Sequence, residues 1–314
     1  MNLRSWPRVG AITASTLLLL GLLGSGQLAI PDPAMARPSA SVRPQTQAAL
    51  PAPDVVSDKL VAANTTFGFK LFAQALKTDA GKNVFISPAS VAIALGMTYN
   101  GAKGETQQAM ARALELQGLS LATVNQSNAS LISALQKADP AVEVAIANSL
   151  WAQKDGGFQR EFLRRNQQFY KAQITELNFR QPGAAGQINA WVKQQTRGKI
   201  TQIDDQVQPN LVLMLLNAVY FKGKWSQPFD PSDTVERPFT LADGSRKPHP
   251  MMTQTGRYDY YETQQFQAVS LPYGSGRFSL YLFLPKSQSN LSAFYQDMTA
   301  AKWNQWMNEF QSRP

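Results

Sequence analysis

The chain of 314 residues contains no cysteine, which excludes disulfide bonds, a thiol nucleophile and cysteine-ligated metals. It contains one histidine, His249, which stands between Pro248 and Pro250. A Ser-His-Asp triad would have to use this residue, and the motifs GxSxG, SxxK, HExxH and GxxxxGK do not occur in the sequence. These absences argue against an enzyme, and nothing in the sequence points to a cofactor.

Charge is also sparse, at 16% of residues, and the basic excess of +9 is scattered along the chain. The densest basic cluster, Arg160, Arg164 and Arg165, has Glu161 among its members. This pattern indicates a solvated surface. A partner such as nucleic acid or another polyanion would call for a concentrated patch.

The first 36 residues are typical of a secretory signal peptide. Arg4 and Arg8 precede the apolar run Ala11–Leu23, and Ala34-Met35-Ala36 offers a small-x-small cleavage site. The alternative is an uncleaved anchor, but the strongly apolar part is shorter than the roughly 20 residues that span a bilayer. We therefore predict cleavage after Ala36, export to the periplasm or the extracellular space, and no stable membrane association of the mature chain.

Residues 37–54 contain mainly Pro, Ala, Gln and Ser and predict a flexible linker, so that residues 55–314 form one large domain. Four Asn-x-Ser/Thr triplets lie in that domain, and they would matter only in a eukaryotic secretory pathway. They begin at Asn64, Asn125, Asn128 and Asn290.

The most apolar stretch of the domain is Leu211–Phe221, whose one polar residue is Asn217. A run without polar alternation predicts a strand that is buried on both faces, at the centre of a large sheet. The following residues, Lys222-Gly223-Lys224, predict a turn that ends in Trp225. A buried asparagine needs partners, because an unpaired buried amide costs about 1–3 kcal/mol.

Other segments have equally clear patterns. Ser87-Pro88 can start a helix over Ala89–Tyr99 that is apolar nearly all round and therefore interior. Ser90 on this helix would need a buried partner, and pairing it with Asn217 would satisfy both. The remaining segments are a helix with apolar residues at Leu60, Phe67, Leu71 and Ala75, a short buried strand Val84–Ile86, a strand Val142–Trp151, a strand Phe278–Leu284 buried on both sides, and a helical pattern over Leu291–Phe310.

Five segments of the sequence together resemble the serpins, the family of serine protease inhibitors, and they occur in that family's order. They are NVFISPASVAIALGMTYNGAKGETQQAM (Asn83–Met110), IANSLWAQKD (Ile146–Asp155), INAWVKQQTRGKI (Ile188–Ile200), LNAVYFKGKW (Leu216–Trp225) and FLPK (Phe283–Lys286). The resemblance implies the serpin fold, an α+β fold with a large, mostly antiparallel central sheet surrounded by helices and smaller sheets.

The resemblance also implies which residues act in the family's conformational switch. Ser87, Pro88, Ser90 and Asn217 match the shutter beneath the main sheet, and Trp225 matches the breach at its top. In the family, a protease cleaves an exposed reactive loop and is trapped as an acyl-enzyme while the loop inserts into the main sheet. The implied partner is a target serine protease, or a cysteine protease, and the inhibitor is a monomer.

The sequence departs from the family's pattern at its C-terminal end. The family's reactive loop, its hinge and the last core strands would all follow Pro314. We therefore expect a domain that is incomplete at the C-terminus and a chain that does not inhibit by itself. The alternative function is that of a non-inhibitory serpin-fold binding or chaperone protein.

Overall fold

The computed structural model describes the backbone of residues 11–23 and, in full, residues 56–79, 81–203, 206–241, 243–286 and 291–313. These residues form a four-stranded main sheet, a four-stranded small sheet and a two-stranded ribbon. The predicted cleavage site Ala34–Ala36, the predicted linker 37–54 and Asn290 lie outside the described residues.

The main sheet is mostly antiparallel, as predicted. β1 and β2 both pair antiparallel with β4, whereas β3 pairs parallel with β2. The order across the sheet is β1 (Ala11–Leu23), β4 (Leu211–Lys224), β2 (Val142–Gln153) and β3 (Gln173–Leu177). β1 is the apolar run of the predicted signal peptide, and its backbone pairs along the outer edge of β4.

The small sheet and the ribbon follow β4 in the chain. The ribbon pairs β5 (Val235–Thr240) with β6 (Arg246–Met251). The strands of the small sheet, in spatial order, are β10 (Gln311–Arg313), β7 (Tyr258–Glu262), β8 (Phe266–Tyr273) and β9 (Phe278–Pro285).

Eight helices of the described residues pack around the sheets. None of them combines the length and the hydropathy of a bilayer-spanning segment. They are α1 (Asp58–Thr78), α2 (Pro88–Tyr99), α3 (Gly104–Ala113), α4 (Leu121–Lys137), α5 (Arg160–Tyr170), α6 (Ala184–Gln195), α7 (Leu291–Asp297) and α8 (Ala300–Met307).

β4 is buried on both faces, as its unbroken apolar run predicts. On one face, Leu213 and Leu215 pack in a cluster with Met97 of α2. On the other face, Leu216 packs in a second cluster with Val192 of α6. Each fully buried leucine contributes about 1.5–3 kcal/mol relative to an exposed one. The main sheet therefore packs against α2 on one face and against α6 on the other.

The predicted turn at Lys222-Gly223-Lys224 was wrong, because β4 continues as a strand to Lys224. The pairing partner explains the extension: Val142, at the start of β2, lies opposite Gly223. The glycine is needed for close packing here. A Cβ added to it would approach Cδ1 of Tyr273 to 2.7 Å.

Three other predictions of secondary structure were wrong. Val84–Ile86 forms no strand and Phe85 is 74% exposed, because no described strand pairs with this segment. β9 is not buried on both faces, since it lies at the edge of the small sheet and Leu284 is 60% exposed. The single helical pattern Leu291–Phe310 divides into α7 and α8, and Thr299 caps the second helix by accepting from the backbone N–H of Lys302 at 3.2 Å.

Candidate functional site

The start of α2 contains three of the predicted site residues. Ser87 precedes the helix and Pro88 occupies its first turn, where a missing N–H costs nothing. The hydroxyls of Ser87 and Ser90 lie 2.8 Å apart and share a hydrogen bond. Ser90 is fully buried, so this bond satisfies a hydroxyl that has no access to water.

Asn217 lies at the middle of β4 and is fully buried. Its Nδ2 donates to Oδ1 of Asn148, its direct partner on β2, over 2.7 Å. Asn148 in turn donates to the backbone carbonyl of Tyr170 over 2.8 Å. These bonds join the two central strands of the main sheet to the end of α5.

The expected pairing of Asn217 with Ser90 was wrong. Ser90 bonds to Ser87 within its own segment, whereas Asn217 bonds sideways to the neighbouring strand. The Oδ1 atom of Asn217 is buried and has no hydrogen-bond partner among the described residues. One half of this amide is therefore satisfied and the other half is not.

A second group of buried asparagines, which we did not predict, lies on the same side of the sheet. Asn100, Asn125 and Asn166 come from the end of α2, from α4 and from α5. Asn125 donates to Oδ1 of Asn100 over 2.7 Å, and Asn100 donates back over 3.0 Å. Asn100 also donates to Oδ1 of Asn166 over 3.3 Å. The amides join three helices by mutual hydrogen bonds without introducing a charge.

Tyr170 connects the Asn217–Asn148 pair to α4, the helix that also contains Asn125. Its hydroxyl accepts from Nδ2 of Asn128 over 3.3 Å, and its carbonyl accepts from Asn148. Burial raises the pKa of the Tyr170 phenol far above its usual value, so the ring stays neutral. Gly96 of α2 makes room for this ring, because a Cβ there would lie 2.8 Å from the hydroxyl oxygen.

Trp225, the predicted breach residue, follows directly after β4. Its ring stacks on Tyr273 of β8, with ring centroids 4.3 Å apart and an angle of 12° between the planes. The backbone N–H of Ser226 donates to the carbonyl of Pro272 over 2.9 Å. Trp225 therefore lies where the main sheet meets the small sheet, some distance along β4 from Asn217.

The arrangement does not bring together a catalytic set around the only histidine. His249 is exposed and lies on the ribbon opposite Arg237. The described residues contain no cluster of three or more His, Cys, Asp or Glu that could hold a metal. The polar groups that converge around the predicted site residues are amides and hydroxyls, and they connect strands and helices.

Comparison with known proteins identifies the class. A family profile described as Serpin (serine protease inhibitor) matches residues 62–314. The chain is 34% identical to leukocyte elastase inhibitor of Bos taurus over 259 residues, which are 79% of this chain and 68% of that protein. It is also 34% identical over 293 residues, 88% of this chain, to a serpin-like protein of Thermococcus kodakarensis that it covers to 68%. The chain belongs to the serpin family.

The solved structures agree with this assignment. Emu ovalbumin (Dromaius novaehollandiae) matches with a TM-score of 0.77 and 26% identity over 81% of this chain and 71% of that one. Reactive-loop-cleaved human thyroxine-binding globulin matches with a TM-score of 0.75 and 25% identity over 81% and 76%. The described residues therefore have the serpin fold and lack some of its C-terminal strands.

Proposed function

We propose that the complete protein is an exported inhibitor of serine proteases that acts by reactive-loop cleavage, acyl-enzyme trapping and loop insertion. The observation that carries this proposal is the outer edge of β4. Ala11–Leu23 pairs antiparallel along β4, from Leu211 to Lys224. This pairing supports the proposal that one added strand can hydrogen-bond along this edge of β4. Insertion of the cleaved loop into the main sheet as an added strand is the step that traps the protease in this family. The name of the bovine relative, an elastase inhibitor, supports a serine protease as the partner.

The contacts beneath the sheet suit a sheet that opens. α2 packs on the strands through Ile93, Ala94 and Met97, which are apolar and make no hydrogen bonds to β4 through their side chains. Ser90 bonds within its own segment, and no described hydrogen bond joins it to β4. The sheet can therefore move over α2 without leaving a new buried donor or acceptor on the helix. In this proposal Ser87, Pro88, Ser90, Asn217 and Trp225 support the movement, and none of them is catalytic.

We propose further that residues after Pro314 in the complete protein supply the reactive loop, and that residues 37–314 alone are inactive. The chain covers 68% of the bovine inhibitor, which supports this view. Inhibition is tested by mixing residues 37–314, and a version extended by the codons that follow Pro314 in the gene, with trypsin-, chymotrypsin- and subtilisin-like proteases. The extended version should give a complex that survives boiling in SDS, because the trapped species is an acyl ester. Cleavage of the extended chain without such a complex would overturn the inhibitory function, and an SDS-stable band from residues 37–314 would overturn the inactivity.

Export is proposed on the pattern of residues 1–36 and has its own test. N-terminal sequencing of material secreted from an expressing cell should give Arg-Pro-Ser-Ala-Ser, which begins at Arg37. Recovery of the chain in a membrane fraction with Met1 or Asn2 at its start would favour the uncleaved anchor instead.

The second candidate function is non-inhibitory ligand binding, which one cleft favours. A cleft of ≈ 490 Å³ between α1, α2, α4 and α8 is lined mainly by apolar side chains, with Phe69, Phe72 and Trp303 among them. This volume lies in the range of small-molecule sites, about 300–1,000 Å³. A titration with an apolar fluorescent naphthalene sulfonate, monitored by quenching of Trp303 fluorescence, distinguishes ligand binding from protease inhibition. For ligand binding, the extended chain should trap no protease and should bind the naphthalene sulfonate saturably. Loss of that binding in Trp303→Ala would support the ligand-binding function.

A further inference from the structure

A buried carboxylate joins the main sheet to the small sheet at their junction. Asp139 lies between α4 and β2 and is only 3% exposed. Its Oδ1 accepts from the backbone N–H of Ala141 over 2.9 Å. Its Oδ2 accepts from both the backbone N–H and the hydroxyl of Ser275, each over 2.6 Å. Ser275 belongs to the turn between β8 and β9, 136 residues further along the chain.

Only a carboxylate satisfies all three donors at this position. Asp139 uses both oxygens as acceptors, one towards each segment. An asparagine would offer one oxygen and one NH₂ group, so either Ala141 or Ser275 would face a second donor. The turn also lies directly against the carboxylate, since a Cβ on Gly274 would come within 2.6 Å of Oδ2. Gly274 has φ +52°, a conformation that glycine adopts at little cost.

The same turn is bonded to the end of β4. The backbone N–H of Gly274 donates to the carbonyl of Lys224 over 2.8 Å, and the hydroxyl of Ser226 donates to the carbonyl of Gly274 over 2.7 Å. The start of β2 and the end of β4 are neighbours in the main sheet. One turn of the small sheet therefore holds two central strands of the main sheet, and Asp139 provides the side-chain hydrogen bonds on the β2 side.

We propose that Asp139 is a positioning residue that latches the β2–β4 strand pair to the small sheet and thereby limits how readily the main sheet moves. The inference rests on the proposed function only in that movement of the main sheet is the step the latch would control. Release of the three hydrogen bonds frees the start of β2, whereas the end of β4 stays attached through Trp225 and Gly274. The latch thus acts on one end of the strand pair.

Hydrogen exchange of the full 314-residue chain tests the latch without a protease, by comparison of wild type, Asp139→Asn, Ser275→Ala and a control. The control is Asp230→Asn, because one oxygen of Asp230 also accepts from the N–H and hydroxyl of a serine, Ser232, at 2.8 and 2.7 Å, but within an exposed turn. Asp139→Asn should raise exchange roughly tenfold at Ser275 and along the first half of β2, where local opening limits exchange. Ser275→Ala keeps the hydrogen bond from the backbone N–H and should raise the exchange rate less. Asp230→Asn should leave the exchange rate of β2 unchanged.

Two outcomes would overturn the latch. If the exchange rate in Asp139→Asn rises only at Ala141 and Ser275, Asp139 stabilises no more than its local turn. If the exchange rate rises equally throughout the domain, the substitution destabilises the whole fold. Because the measurement needs no reactive loop, it separates the two proposals. Faster exchange in β2 from a protein that inhibits no protease would leave the latch standing and remove the proposed function.

Discussion

Replacement of Asn148 by alanine should destabilise the protein more than replacement of Asn217. Asn148 donates to the Tyr170 carbonyl over 2.8 Å and accepts from Asn217 over 2.7 Å, so its loss leaves two buried groups unpaired. Asn217→Ala leaves only Oδ1 of Asn148 unpaired, and it also removes a carbonyl oxygen that already lacks a partner. At about 1–3 kcal/mol for each unsatisfied group, we expect about 2–6 kcal/mol for Asn148→Ala and at most about 1–3 kcal/mol for Asn217→Ala.

The assay is urea unfolding of residues 37–314, with the free energy of unfolding compared at equal m-values. The double variant should cost less than the sum of the single variants by about 1 kcal/mol, because both single variants break the same Asn217–Asn148 bond. Asn304→Ala is the matched control, since Asn304 is exposed on α8. Its effect should stay within the helix-propensity difference, about 0.7 kcal/mol. An equal loss of unfolding free energy for Asn148→Ala and Asn217→Ala, or a larger loss for Asn217→Ala, would refute the argument from unpaired buried groups.

Three further predictions follow from individual contacts. Gly96→Ala should destabilise by about 1–3 kcal/mol because its Cβ would overlap the Tyr170 hydroxyl, whereas Gly186→Ala on α6, which meets nothing within 4 Å, should be neutral or slightly stabilising in the same urea assay. Trp225→Ala should cost about 3–5 kcal/mol in urea unfolding through the lost stacking on Tyr273, and Trp225→Phe clearly less; equal costs would show that the stacking area is unimportant. Hydrogen bonds from Ser275 and Ala141 lower the pKa of Asp139, with a contribution from the charge of Arg277, so the carboxylate stabilises the fold fully above the usual carboxyl pKa and loses this effect as pH falls through the lower folded value. The difference in urea midpoint between wild type and Asp139→Asn should therefore vanish at the acid end, and a difference independent of pH would contradict this.

The sequence predicted well where burial is uniform. The apolar run of β4 and the nearly all-apolar α2 have no solvated face, so each could only be interior, and both are confirmed. β9 is similarly apolar, yet it lies at a sheet edge with Leu284 exposed. Hydropathy reports the chemistry of a strand and contains no information on whether a neighbour covers it.

The partners of the buried polar residues could not be read from the sequence. The prediction that Asn217 is buried and hydrogen-bonded holds for its Nδ2, but the bond goes to Asn148, which is set by the register between β2 and β4. Asn125 and Asn166 lie 25 and 66 positions after Asn100 in the sequence, and the three residues come from three helices. Their convergence depends on how these helices pack, which no local pattern encodes. The resemblance to serpins implied that Trp225 lies at the top of the main sheet, but its stacking on Tyr273 of the small sheet was not predicted.

The buried asparagines restrict the cells in which this domain can fold. Asn125 and Asn128 begin Asn-Gln-Ser and Asn-Ala-Ser, both acceptor triplets for N-linked sugars. In the folded domain they are 2% and 3% exposed, and their Nδ2 atoms donate to Asn100 and to Tyr170. An oligosaccharide attached to either nitrogen during translocation would replace a donor and could not fit between α4 and its neighbours. In a secretory pathway with an oligosaccharyltransferase, folding of α4 must therefore precede glycosylation at two positions three residues apart, whereas a cell without that enzyme imposes no such requirement.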